Sequence, residues 1–136
     1  MTRHEQRYKA MTILYQSFLY ESNNIDYNID DIIEEQMEEK VKFVVSIVKG
    51  VLENREKIDE LANKYLENWD IFRLGFTDQA ILRIGIYELM NMDTPDVTCI
   101  DEAVELAKEY SDEKVCKMIN GVLDKIYHNG NLNEKK

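Results

Sequence analysis

Three basic side chains open this chain. Arg3, Arg7 and Lys9 stand against the single acid Glu5 within the first twenty residues. Arg3 and Arg7 are four apart, so on a helix they share one side of the first two turns. Two guanidiniums placed this way can fork onto phosphate oxygens. They can equally be solvated charges at a helix end. No other group of residues has the spacing of a reactive site. His4 and His128 lie at opposite ends of the chain, and Cys99 and Cys116 form no close pair. That pattern predicts neither a disulfide framework nor a zinc site, and Cys116 reads as a small core residue. Glu34, Glu35, Glu38 and Glu39 come with no His and no Gly-turn loop, so they read as a solvated helical face and not a metal site. A Gly-rich phosphate loop and a paired His/Glu motif are both absent from the sequence. The expectation is a protein with no catalytic residue, no metal and no cofactor.

These residues need elements to hold them, and the composition predicts helices. One Pro and five Gly among 136 residues are too few for the turns of an all-β fold. Thr2 and Glu5 have the spacing of a capping box, which starts a first helix running to about Tyr20. Ala10, Met11, Leu14, Tyr15 and Phe18 give it an apolar face. Residues 22–31 read as a polar loop. A second helix is expected over about 37–54, with Val and Ile stripes on two sides, and a third over 55–67. Trp69, Phe72 and Phe76 read as plugs of a seam between two halves, at 1–67 and 77–129, of a single domain. Thr77 is a candidate N-cap for a helix to Met90 that is apolar nearly all round, and so is expected to be enclosed by others. Only Arg83 and Glu88 interrupt it. Gly85 at its middle suggests close approach by a neighbour. Thr98 is expected to cap the next helix and Ser111 to start the last. The tail from Asn129 to Lys136 reads as polar and frayed.

The net charge of −10 is uneven, since Glu21 to Lys40 holds eight acids and one lysine. An acidic whole does not forbid a nucleic-acid partner, because the local patch is what meets phosphate. No apolar run approaches the ~18–20 residues of a membrane span. The first residues do not read as a signal peptide. A cytoplasmic protein is expected, with no membrane partner.

Three ordered segments carry a resemblance. They are Ile81-Leu82-Arg83-Ile84 with Tyr87-Glu88-Leu89, then Ile100 to Lys108 (IDEAVELAK), then Asn120-Gly121-Val122-Leu123-Asp124. With Leu14-Tyr15-Gln16, Trp69, Arg73-Leu74 and Pro95, they make the chain resemble the NusB family of transcription antitermination factors over nearly its full length. The resemblance implies an all-α fold of two helical bundles packed roughly perpendicular. It implies an adaptor that binds boxA-type ribosomal RNA leader sequence together with ribosomal protein NusE, and through them reaches transcribing RNA polymerase. Some members dimerise over the basic face, so a homodimer is among the implied partners.

The resemblance also implies sites. Arg3 and Arg7 match the family's N-terminal arginine cluster, although His4 and Glu5 stand where further basic residues are common, and Lys9 compensates in part. Tyr15 matches a residue that could stack on a base. Met118 stands where a Phe is common near the RNA and lacks its aromatic face. Lys114 stands where some members have an acid. The last helix is expected to return beside the first, bringing Lys114, Lys117 and Met118 near Arg3 and Arg7. Asp78 matches an acidic position on the NusE-facing side. A protein-only helical scaffold with weakened RNA binding is the alternative.

Overall fold

The computed structural model describes residues 1–91 and 95–129. The expected break before Pro95 falls partly, and the frayed tail almost wholly, outside these described residues. Among them the chain forms seven α-helices and no strand: α1 Arg3–Ser22, α2 Ile29–Gln36, α3 Lys42–Glu53, α4 Arg55–Tyr65, α5 Phe76–Asn91, α6 Asp96–Tyr110 and α7 Glu113–Asn129. A 3-10 turn at Ile71–Arg73 lies between α4 and α5.

The helix starts follow local chemistry. Thr2 accepts from the Glu5 N–H and the Glu5 carboxylate accepts from the Thr2 N–H, so the capping box forms as expected. The acidic stretch expected as a loop contains α2, because the Asn28 side chain caps it through the Asp30 N–H and Ile32 and Ile33 bury against the core. Thr77 does not cap α5. That helix opens one residue before it, with the Gln79 N–H on the Gly75 carbonyl. Thr98 likewise lies inside α6, which starts after Pro95, a residue with no N–H to satisfy. Asp112 and not Ser111 caps α7, accepting from the Val115 N–H at 2.8 Å.

α5 is the hub. It packs on α1, α3 and α4 of the first half and on α6 and α7 of the second. Ile81, Leu82, Ile84, Ile86 and Leu89 are all buried, each contributing roughly 1.5–3 kcal/mol over its exposed state. The close approach suggested by Gly85 is made by α6 and α7. A Cβ there would sit 2.9 Å from Leu123 Cδ1 and 3.3 Å from Ala103 Cβ. On the opposite side the Tyr87 ring lies across Gly50 of α3, where any Cβ would overlap it.

Two of the three charged side chains of α5 are buried with it. Arg83 is 0% exposed and Glu88 1%. Arg83 donates to both carboxylate oxygens of Asp59 on α4, at 2.7 and 3.1 Å, and to Gln79 at 2.9 Å. Its guanidinium also lies over the Phe18 ring of α1 at 4.6 Å. Glu88 accepts two bonds from Arg7 of α1, at 2.9 and 2.8 Å.

The seam differs from the expectation. Ile71 is the buried plug, while Trp69 and Phe72 are 42% and 64% exposed. A 3-10 turn rotates about 120° per residue, so an inward Ile71 sends Phe72 outward. Polar bonds fix the segment instead. Asn63 accepts from the Ile71 N–H at 2.8 Å, and Asp70 accepts from the Phe72 N–H at 2.9 Å.

Replacing Asp59 with Ala leaves the Arg83 guanidinium buried without its carboxylate. Urea unfolding is expected to show a loss of about 3–5 kcal/mol. A D59A/R83M double variant is expected to recover part of it. A single-variant loss below about 1 kcal/mol would mean the pair is solvated and not enclosed.

Candidate nucleic-acid interface

The basic N-terminus is thinner on the surface than in the sequence. Arg3 is exposed, its Nη1 donates to Gln6 at 2.7 Å, and its guanidinium lies over the Phe43 ring at 3.9 Å. Arg7 is only 3% exposed. Burial opposes its charge, but the two hydrogen bonds and the negative charge of Glu88 outweigh that and raise its pKa. Arg7 is the second guanidinium expected to meet phosphate. Its fork is already filled by a carboxylate, and withdrawing it would leave Glu88 buried and unpaired. Lys9 is half-buried and makes no ion pair among the described residues.

His4 stands between two acids of α6, with Nδ1 3.3 Å from Glu102 and Nε2 2.6 Å from Glu109. Desolvation disfavours its charged form, but hydrogen bonds to the two carboxylates reverse the balance and raise its pKa above 6.5. Only the imidazolium can donate to both acids at once. His4 thus ties the start of α1 to α6, and Tyr8 reinforces the tie by stacking on Tyr110 with centroids 4.8 Å apart.

The expected return of α7 beside α1 is corrected. The main neighbours of α7 are α6, α5 and α4. Lys114, Lys117 and Met118 are carried by α7. They meet the segment that leads into α5. Leu74 lines one groove with Lys114, Lys117 and Met118. Two residues on, Phe76 makes an edge contact with Tyr15 of α1, centroids 6.1 Å apart. Two further on, Asp78 Oδ1 accepts from the Ser111 hydroxyl at 2.6 Å. Residues 74–78 thus link the Tyr15 face of α1 to the start of α7.

Around this link the side chains suit a single-stranded polyanion. Tyr15 is 41% exposed. Lys114 is exposed and makes no ion pair among the described residues. Lys117 is exposed beside Glu113 at 3.6 Å, a surface pair of little net strength. Met118 is half-buried. Asp78 is half-buried and hydrogen-bonded. The reading of the sequence missed Tyr8 and Tyr110. Tyr8 lies seven residues before Tyr15, hence on the same helical face, and that spacing was the available signal. Tyr110 has no local counterpart.

Comparison with known proteins places nearly the whole chain in one family. The NusB family model, described as "NusB family", matches residues 4–128. A transcription antitermination protein NusB from Campylobacter jejuni (strain RM1221) is 41% identical over 125 residues, covering 90% of this chain and 93% of that protein. Another from Listeria monocytogenes serotype 4a is 39% identical over 127 residues, covering 93% and 96%. The solved structure of T. maritima NusB superposes with a TM-score of 0.83 at 33% identity, covering 99% of this chain and 96% of that one. A chain from a crystal structure of antitermination factors NusB and NusE in complex with dsRNA superposes with a TM-score of 0.76 at 28% identity, covering 94% and 98%.

The His4 tie predicts a pH dependence with a definite sign. A raised folded-state pKa means that its stabilisation is complete below the ordinary histidine value near 6.5 and is lost as pH rises through the folded value. The urea midpoint of the chain, minus that of His4→Gln, is expected to be larger at about pH 6 than at about pH 9. A difference that stays flat across that range would remove His4 as the titrating group.

Proposed function

The chain belongs to the NusB family, and from that premise we propose that it is a transcription antitermination adaptor that binds boxA-type ribosomal RNA leader sequence together with ribosomal protein NusE. The observation that carries the reading is the family match across residues 4–128, with NusB and NusE held together on RNA in a solved relative. The protein acts without catalysis, in a family of antitermination factors and not of enzymes. It works in the cytoplasm and reaches transcribing RNA polymerase indirectly, through the assembled complex. No helix among the described residues is long and apolar enough to cross a membrane.

The RNA contacts divide by chemistry. Arg3, Lys9, Lys114 and Lys117 meet phosphates, and Tyr15 stacks on a base beside Met118. Asp78 faces NusE. Arg7 supports this surface from beneath, by fixing α1 on α5. A second copy of the chain, docked over the α1 face, would compete with RNA for the same cations.

One observation favours a second reading, a protein-only helical scaffold with weakened RNA binding. The best-placed guanidinium, Arg7, is committed to Glu88 on a chain of net charge −10.

Binding of a boxA-type RNA, measured with and without NusE across a salt series, separates the two. For these four phosphate contacts the log–log salt slope is expected to be about −2.8, at about −0.7 per contact. K9E/K114E is expected to weaken binding about tenfold or more and to make the slope shallower by about 1.4, with an unchanged far-UV spectrum. Absence of binding at low salt in both arms would sink the RNA reading and leave the scaffold.

A further inference from the structure

We propose that the groove between α7 and residues 65–74 receives one unstacked base of single-stranded RNA, with Trp69 as its stacking face. The proposal rests on the RNA-binding reading above and adds a subsite that the family resemblance does not assign. The groove has a volume of about 540 Å³, within the range of roughly 300–1,000 Å³ for ligand sites. Leu74, Val115, Met118 and Trp69 give it an apolar lining. Three ammonium groups border it, from Lys114, Lys117 and Lys125.

Trp69 is the sole tryptophan of the chain and is left 42% exposed. An indole so exposed is far from the usual fate of the side chain with most apolar area to hide. The backbone nevertheless holds it in place. Asn68 takes a left-handed conformation, φ 61°, immediately before it. Asp70, immediately after it, accepts from the Phe72 N–H and from the Asn63 amide. The Arg73 guanidinium lies 5.2 Å from the ring centroid. A ring fixed in this way loses little freedom when a base stacks on it.

Charge selects the occupant. Glu67 and Asp112 are the two carboxylates on the groove, against three lysines, so the local sign is opposite to that of the whole chain. Asp112 already accepts the Val115 N–H. Lys114 has no ion-pair partner among the described residues. The Lys117–Glu113 and Lys125–Glu67 contacts, at 3.6 and 3.0 Å, are surface pairs, and a phosphate can replace their exposed acids. An aromatic wall with cations at the rim is how single-stranded nucleic acid is held without pairing. The groove also shares Lys114, Lys117 and Met118 with the proposed RNA surface, so a strand that passes Tyr15 can continue into it.

The sole tryptophan makes a direct test available. The full chain is titrated with a single-stranded boxA-type RNA oligonucleotide, with NusE, and with both. Anisotropy of labelled RNA and indole emission are followed together, and the emission of W69F is subtracted to leave the signal of Trp69. The expected result is saturable quenching by RNA that follows the anisotropy isotherm. W69A is expected to weaken RNA binding about 5- to 100-fold, and W69F to weaken it less. RNA binding without quenching, with W69A equal to wild type, overturns the subsite and leaves the RNA reading standing. Quenching by NusE alone and not by RNA assigns the groove to a protein partner and overturns the proposal. Failure of RNA to bind under every condition overturns both.

Discussion

Two buried ion pairs orient the helix on which everything else packs. α5 is apolar almost all round, and apolar contact alone says little about rotation or register, because one greasy face can substitute for another. Arg83 and Glu88 remove that freedom. They are five residues apart, about 140° around the axis, so they point to different neighbours. Arg83 finds Asp59 on α4 and Glu88 finds Arg7 on α1. Any other rotation of α5 would bury a charge without its partner, at a cost of several kcal/mol. The pairs need not add net stability over apolar residues of the same shape. Their effect is to exclude the alternatives.

The same constraint shapes the surface. Glu88 draws Arg7 out of the basic cluster at the N-terminus, and Glu102 and Glu109 neutralise His4 beside it. Arg3, part of Lys9, Tyr8 and Tyr15 remain outward on α1, beside Glu5 and Leu19. The exposed face therefore carries less free positive charge than the spacing of its arginines suggests. Stacking does not depend on counterion release, so a modest salt slope is compatible with useful affinity on a chain of net charge −10.

Much of the fold was legible in local patterns. The Thr2–Glu5 box, the all-round apolar run of α5 and the small residue at Gly85 each carry their meaning within a few positions. Some errors were local, at the caps assigned to Thr77 and Thr98 and at the start of α2, and the larger ones were non-local. Arg7 and Glu88 are separated by 81 positions, and each alone resembles a solvated helical charge. Trp69 and Phe72 looked like core because aromatics usually are, but one buried Ile71 and three side-chain hydrogen bonds were enough to close the seam without them. The position of α7 could not be read at all, since an amphipathic helix shows that it has a neighbour and not which one. The family resemblance supplied candidate residues, but their grouping in space needed the packing of α5 and α6.

The grouping that results depends on residues 74–78. This short segment is held from inside: Gln79 donates to the Leu74 carbonyl and also accepts from Arg83. It is therefore an extension of the Arg83–Asp59 network to the surface. Phe76 positions Tyr15, Leu74 walls the lysine-edged groove, and Asp78 holds Ser111 at the turn into α7. A change at Asp59 or Gln79 touches no partner, yet it acts on all three contacts through one rigid connection. A surface held this rigidly loses little entropy on binding. The buried charges of α5 thus bear on function through the placement of side chains that never touch them.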